Sequence, residues 1–118
     1  MQIFRFKKFN VVNERSAMKV NTDGVLLGAA MLLAPDDRRL LDIGTGTGTI
    51  ALMAAQRLAA ADIHIDAIDI DEPSASEAKA NFEQSPWAAN LSAHNLSLDD
   101  FAAMLAAQRE AGREIKYN

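Results

Sequence analysis

The 118-residue chain contains no cysteine. That excludes a disulfide framework and any thiolate metal centre, and it agrees with a reducing compartment. No apolar run approaches the roughly 18–20 residues needed to span a bilayer. The opening MQIFRFKK lacks the apolar segment of a secretory signal. Internal repeats are missing too, and the only compositional bias is alanine in the helical stretches. The expectation is one small, soluble, cytoplasmic domain with a modest core and no membrane partner.

Charge is present but unevenly spread. The first twenty residues carry Arg5, Lys7, Lys8, Arg15 and Lys19 against Glu14 alone, a balance of +4 within a total of −4. A basic arm on an acidic body suits contact with a polyanion such as RNA; the plainer reading is a solvated strand. His64 and His94 stand alone in strand patterns without a partner cluster, so neither is assigned a catalytic role. Trp87 reads as a packing residue.

Phe4–Phe6 and Phe9–Val11 alternate apolar and polar residues, as half-exposed strands do. VLLGAAMLLA predicts a short helix that stops at Pro35. Leu40–Ile43 is an apolar strand expected in the middle of a sheet. A helix follows over TIALMAAQRLAAA, then a strand over Ile63–Ile70 and a helix from Glu72 that ends before Pro86. Asn90–Asn95 is a third strand, and DDFAAMLAAQREA a helix closed by Gly112. Glu114–Asn118 reads as the start of a further strand. Alternating strands and helices predict an α/β fold, the first half of a doubly wound parallel sheet.

Between the first of these strands and its helix lies LDIGTGTGT, residues 41–49. A glycine-rich turn before a helix lets a ligand approach the backbone closely. A phosphate-cradling loop needs Gly-Lys-Ser/Thr at its end, but Gly48 is followed by Thr49 and Ile50. A dinucleotide loop needs G-x-G-x-x-G/A, and the spacing here is D-x-G-x-G-x-G. Asp42 at the mouth would repel a pyrophosphate and suits a cation. S-adenosylmethionine (SAM) has an ammonium and a sulfonium and no phosphate. Asp69, 21 residues beyond Gly48 at the end of the next strand, can accept hydrogen bonds from ribose hydroxyls. SAM is therefore the expected cofactor and NAD the runner-up; no metal is expected.

With these residues in view, the chain resembles the class I SAM-dependent methyltransferases. More narrowly it is similar to the bacterial tRNA1(Val) adenine-N6 methyltransferases, which modify the adenosine beside the anticodon. FRFKKFNVVNERSAMKVNTDGVLLGA, LLDIGTGTGTIALMAAQR and IDAIDIDEPSASEAKANFEQSPW carry the similarity. The resemblance implies a Rossmann-like sheet, N-terminal half only: a hairpin-and-helix extension over residues 1–35, packed on the cofactor site, and an incomplete SAM-binding domain over 36–118. Asp42, Gly44, Thr45, Gly46 and Gly48 would form the methionine end of the site. Asp69 would take the ribose and Ile70 the adenine ring, with Ser97 and Leu98 at its far side. Thr22 and Asp23 would lie in a segment that lids the cofactor. Ser97 stands where the family usually places an acid. Arg5, Lys7, Lys8, Arg15 and Lys19 become candidates for RNA contact.

In that family an Asn-Pro-Pro-Tyr motif orients the target amine, and the sequence contains none. The catalytic groups are therefore expected beyond Asn118, and the chain is expected to bind cofactor without transferring methyl groups. Related enzymes act on DNA adenine, ribosomal RNA or protein glutamine, so these acceptors remain alternatives. A non-catalytic nucleotide-binding or interaction module is another. Half a doubly wound sheet leaves an unpaired edge, and self-association through it is expected.

Overall fold

The computed structural model describes residues 2–16, 22–58 and 62–117. Strands β1 (Ile3–Arg5) and β2 (Asn10–Val12) form an antiparallel hairpin with Ile3 opposite Val12. The turn closes through the Phe6 N–H, which donates to the Phe9 carbonyl at 2.9 Å, and leaves Lys7 and Lys8 exposed at the tip. Phe6 stacks on Phe9 with ring centroids 4.5 Å apart, and Phe9 meets Trp87 edge-on at 5.6 Å. The alternation in the sequence thus buries Phe9 and Val11 and turns Arg5 and Asn10 to solvent.

Helix α1 (Thr22–Ala30) ends short of Pro35. The residues around the proline make a competing local turn: the Asp37 N–H donates to the Ala34 carbonyl and the Asp37 carboxylate takes the Ala34 N–H. Next come β3 (Arg39–Ile43), α2 (Thr49–Leu58), β4 (His64–Ile68), α3 (Glu72–Glu83), a 3-10 turn at Ala88–Asn90, β5 (Leu91–His94) and α4 (Leu98–Glu110). Helix α1 lies on α2, where the Arg57 guanidinium donates to the carbonyls of Gly28 at 3.2 Å and Met31 at 2.6 Å. Asp71 caps α3 through the Ser74 N–H, and Pro73 occupies its first turn, where no amide hydrogen bond is lost. Gly112, with φ +87°, closes α4.

The three central strands are parallel in the order β3-β4-β5, as the doubly wound α/β reading requires. Small and apolar side chains of α2 and α3 (Ala51, Leu52, Ala55, Ala78 and Phe82) pack with Ile65, Ala67 and Leu91 to form the core. Among the described residues β3 pairs with β4, and β4 lies between β3 and β5. One expectation changes: residues 113–117 form no strand, and the Tyr117 hydroxyl instead reaches across to Asp66.

The other face of the sheet is polar at its centre. Asp66 is 6% exposed and collects the side chains of both neighbouring strands. His64 Nε2 lies 3.0 Å and His94 Nε2 3.2 Å from one carboxylate oxygen. Arg39 approaches the other oxygen at 3.6 Å, beside the Tyr117 hydroxyl. The two histidines therefore do share a partner cluster. Alternation places His64 and Asp66 on the same face, and the parallel register sets Ser92 opposite Asp66 and His94 opposite Ile68. Helix α4 covers part of this face with Phe101, 1% exposed.

Candidate functional site

The C-terminal ends of β3, β4 and β5 meet at the glycine turn, which is where ligands enter open parallel sheets. Parallel pairing sets Asp42 beside Ala67, so the turn after Ile43 begins level with the end of β4. The amides of Gly44 and Thr45 both donate to the Ile68 carbonyl, at 2.9 and 3.0 Å. The Gly46 N–H donates to one Asp69 carboxylate oxygen at 2.9 Å, and the Asp71 N–H to the other at 2.9 Å. The Gly48 N–H closes on the Thr45 carbonyl at 2.9 Å.

This hydrogen bonding has a chemical consequence. The amides of Gly44, Thr45, Gly46 and Gly48 are committed to the chain's own carbonyls and to Asp69. They do not form the array of inward N–H donors that a phosphate cradle requires. What the turn presents is glycine backbone and carboxylate. Asp42 is half-buried and accepts a hydrogen bond from the Thr45 hydroxyl at 2.8 Å. Burial pushes its carboxyl above the ordinary value; the Thr45 hydroxyl pulls it down and the Asp69 charge adds to the rise. A half-buried carboxylate of this kind gains from a cation brought alongside it.

Two of the glycines serve different purposes. Gly48 has φ +86°, and a Cβ there would lie 2.6 Å from Phe82 Cε1, so its lack of a side chain lets α3 close against the turn. Gly44 has φ +73° and nothing within 4 Å of where a Cβ would stand. It borders an open groove of about 230 Å³ lined by Ile43, Gly44, Ile68, Asp69, Ile70 and Ser97, with Leu96 and Leu98. Ile43, Ile70 and Leu98 are 57%, 78% and 49% exposed, an unusual display of large apolar side chains around one opening.

The structure thus brings Asp42, Gly44, Thr45, Gly46, Gly48, Asp69, Ile70, Ser97 and Leu98 to one end of the sheet. Ser97 has a structural task as well, since its Oγ accepts the Asp100 N–H at 3.1 Å and caps α4. Lys19 and the side chains of Thr22 and Asp23 lie outside the described residues. Arg5, Lys7, Lys8 and Arg15 are exposed on the hairpin and the segment after it. Arg15 lies 3.9 Å from Glu72, while Lys7 and Lys8 border a separate hollow with Gln84, Ser85 and Pro86. Among the described residues no group of acids and histidines could hold a metal ion.

Sequence reasoning missed the residues that support the turn. Asn95 Nδ2 donates to the carbonyls of Asp69 at 3.0 Å and Ile70 at 3.1 Å, fixing the chain where it leaves β4. Asn81, fully buried, donates to the Thr47 carbonyl at 2.8 Å. Its available signal was a polar residue between Ala78 and Phe82 on the inward face of α3.

Residues 22–109 match the family model described as ribosomal protein L11 methyltransferase (PrmA). Among curated relatives, the chain is 50% identical over 99 residues to the tRNA1(Val) (adenine(37)-N6)-methyltransferase of Flavobacterium psychrophilum, covering 84% of this chain and 42% of that protein. It is 49% identical over 105 residues to the protein of the same name from Serratia proteamaculans, covering 89% and 40%. The chain therefore spans about two-fifths of the length of these relatives. The fold is also that of the O-methyltransferase from Bacillus cereus in complex with SAH, with a TM-score of 0.58 at 20% identity over 86% of this chain and 44% of that one.

Proposed function

The chain belongs to the methyltransferase family described as ribosomal protein L11 methyltransferase (PrmA), and from that premise we propose that it forms the SAM site of an enzyme methylating N6 of an adenosine in tRNA. The observation that carries the cofactor assignment is the acid-flanked glycine turn, whose amides are already committed, opening on an apolar groove. These residues fit SAM. Asp42 would hold the ammonium. Asp69 has spent one lone pair on each oxygen and keeps two for ribose hydroxyls. Ile70 and Leu98 would flank the adenine, and the Ser97 hydroxyl lies within the same groove. Thr22 and Asp23 would cover the opening. When bound, SAM supplies a methyl group activated by its sulfonium; the protein's residues bind it, orient it and limit access of water.

The tRNA acceptor is supported by the names of relatives near half identity and by the basic charge of the N-terminal twenty residues, of which Arg5, Lys7, Lys8, Arg15 and Lys19 are the proposed phosphate contacts. Catalytic residues are not assigned, because the sequence contains no Asn-Pro-Pro-Tyr. A tRNA-modifying role also implies a cytoplasmic setting, and among the described residues no helix is long and apolar enough to cross a membrane. Among the described residues β3 pairs with β4 alone, and self-association through its other side is proposed, which sedimentation over a concentration series would reveal.

Calorimetry with S-adenosylhomocysteine (SAH) and NAD tests the cofactor: SAH is expected to bind, and tighter NAD binding would overturn the reading. For the acceptor, tRNA binding by the chain should weaken steeply with salt, and charge reversal at Lys7 and Lys8 should flatten that slope. A protein acceptor is the second reading, favoured by the description of the matching family model. Preferential binding of ribosomal protein over tRNA would select it.

A further inference from the structure

Helix α3 grips the N-terminal segment almost entirely through backbone atoms. Glu77, 3% exposed, accepts the N–H groups of Glu14 at 3.1 Å, Arg15 at 2.6 Å and Ser16 at 3.2 Å. One turn further on, Asn81 accepts the Val12 N–H at 2.6 Å and donates to the Val12 carbonyl at 3.1 Å, pairing with β2 as a neighbouring strand would. Ser74, on the same helix face, meets the Ser16 hydroxyl at 2.9 Å. The same Asn81 amide that holds Val12 also donates to the Thr47 carbonyl inside the glycine turn. One fully buried side chain therefore touches both the basic hairpin and the proposed cofactor loop, 34 residues from Thr47 and 69 from Val12.

We propose that Asn81 is a positioning residue that couples seating of the N-terminal hairpin on α3 to the shape of the glycine turn, with Glu77 holding the hairpin in register. The part concerning SAM rests on the cofactor reading above; the coupling itself does not. Asn81 has two amide hydrogens, and both are shared between the hairpin and the turn, so displacing Val12 frees the amide to rotate away from Thr47. A buried amide cannot exchange either partner for water at no cost, so the two contacts stand or fall together. Glu77 makes the coupling testable: its carboxylate grips residues 14–16, whereas the bond from α3 to the Thr47 carbonyl comes from Asn81.

The experiment is amide hydrogen exchange on the full chain, wild type against Asn81→Asp and Glu77→Gln, with SAH titrations in parallel. Asn81→Asp keeps an acceptor for Val12 and loses the donor toward both carbonyls. Glu77→Gln keeps the shape, weakens the hold on residues 14–16, and serves alone if Asn81→Asp does not fold. The coupling predicts faster exchange at Gly46 and Gly48 in both variants, with β4 amides unchanged, and SAH affinity about tenfold lower. Faster exchange at residues 14–16 in Glu77→Gln, with Gly46 and Gly48 unaffected, would overturn it. Absence of SAH binding in the wild type, with the exchange pattern as expected, would overturn the cofactor reading and leave the coupling standing.

Discussion

The Tyr117 hydroxyl donates to Asp66 Oδ2 at 2.6 Å, tying the last described residue to the middle strand of the sheet across 51 positions. Tyr117 is the chain's only tyrosine, so its titration can be followed without interference. Burial and the Asp66 carboxylate push the phenol up to about 12. Because the folded value is raised, the associated stability is complete below the ordinary 10 and is lost as pH rises toward 12. Near-ultraviolet titration should show the late ionisation. Tyr117→Phe should lower stability by about 1–2 kcal/mol, read from urea unfolding, as the buried carboxylate loses one donor.

Asp66 itself titrates low. Burial raises its carboxyl, but hydrogen bonds from Tyr117, His94 and His64 outweigh that and bring it below the ordinary 3.8. A depressed acid contributes stability that is present above its unfolded value and lost as pH falls through the folded one. His64→Gln and His94→Gln should each move the Asp66 carboxyl upward, observable by carbon-detected NMR, and should shift acid unfolding to higher pH.

Asp42 is the opposite case. Its raised carboxyl means that the folded chain holds this proton more tightly than the unfolded chain does, so ionisation above the folded value works against stability. Asp42→Asn should leave the unliganded chain as stable as the wild type or more so. It should weaken SAH binding about 10–100-fold, the weight of a hydrogen bond to a charged group. Affinity in the wild type should fall as pH drops through the Asp42 value, since a neutral acid no longer attracts the ammonium. Equal SAH affinity in the variant would remove Asp42 from the site.

Alanine at two glycines should separate folding from binding. Gly48→Ala forces a Cβ against Phe82 at a positive φ and should cost roughly 2–4 kcal/mol in thermal or urea unfolding. Gly44→Ala meets no protein atom and should cost only about 1–2 kcal/mol from its backbone angle. Its methyl would project at the rim of the groove, so the expected loss there is in SAH affinity, measured by calorimetry.

The residues of the candidate site were legible in the sequence because a glycine turn after a strand and an acid at the end of the next strand are local patterns. Parallel pairing then makes their meeting nearly unavoidable: once β3 and β4 lie side by side, Asp42 and Asp69 share one end of the sheet. The support beneath them was not legible. Asn81 and Glu77 read as ordinary helix residues until the hairpin is folded onto α3, and contacts across 60 to 70 positions leave no periodic trace.

By itself the sequence determined the alternation of strands and helices, the glycine turn, the acids that flank it and the concentration of basic charge at one end. Each is written in hydropathy period, turn chemistry or net charge, which act over a few residues. Only the tertiary structure decided that β4 runs between β3 and β5, that two isolated histidines share Asp66, and that the turn's amides are committed to its own chain. Those outcomes depend on strand order and register, and hydrogen bonds between distant segments form only after both are set.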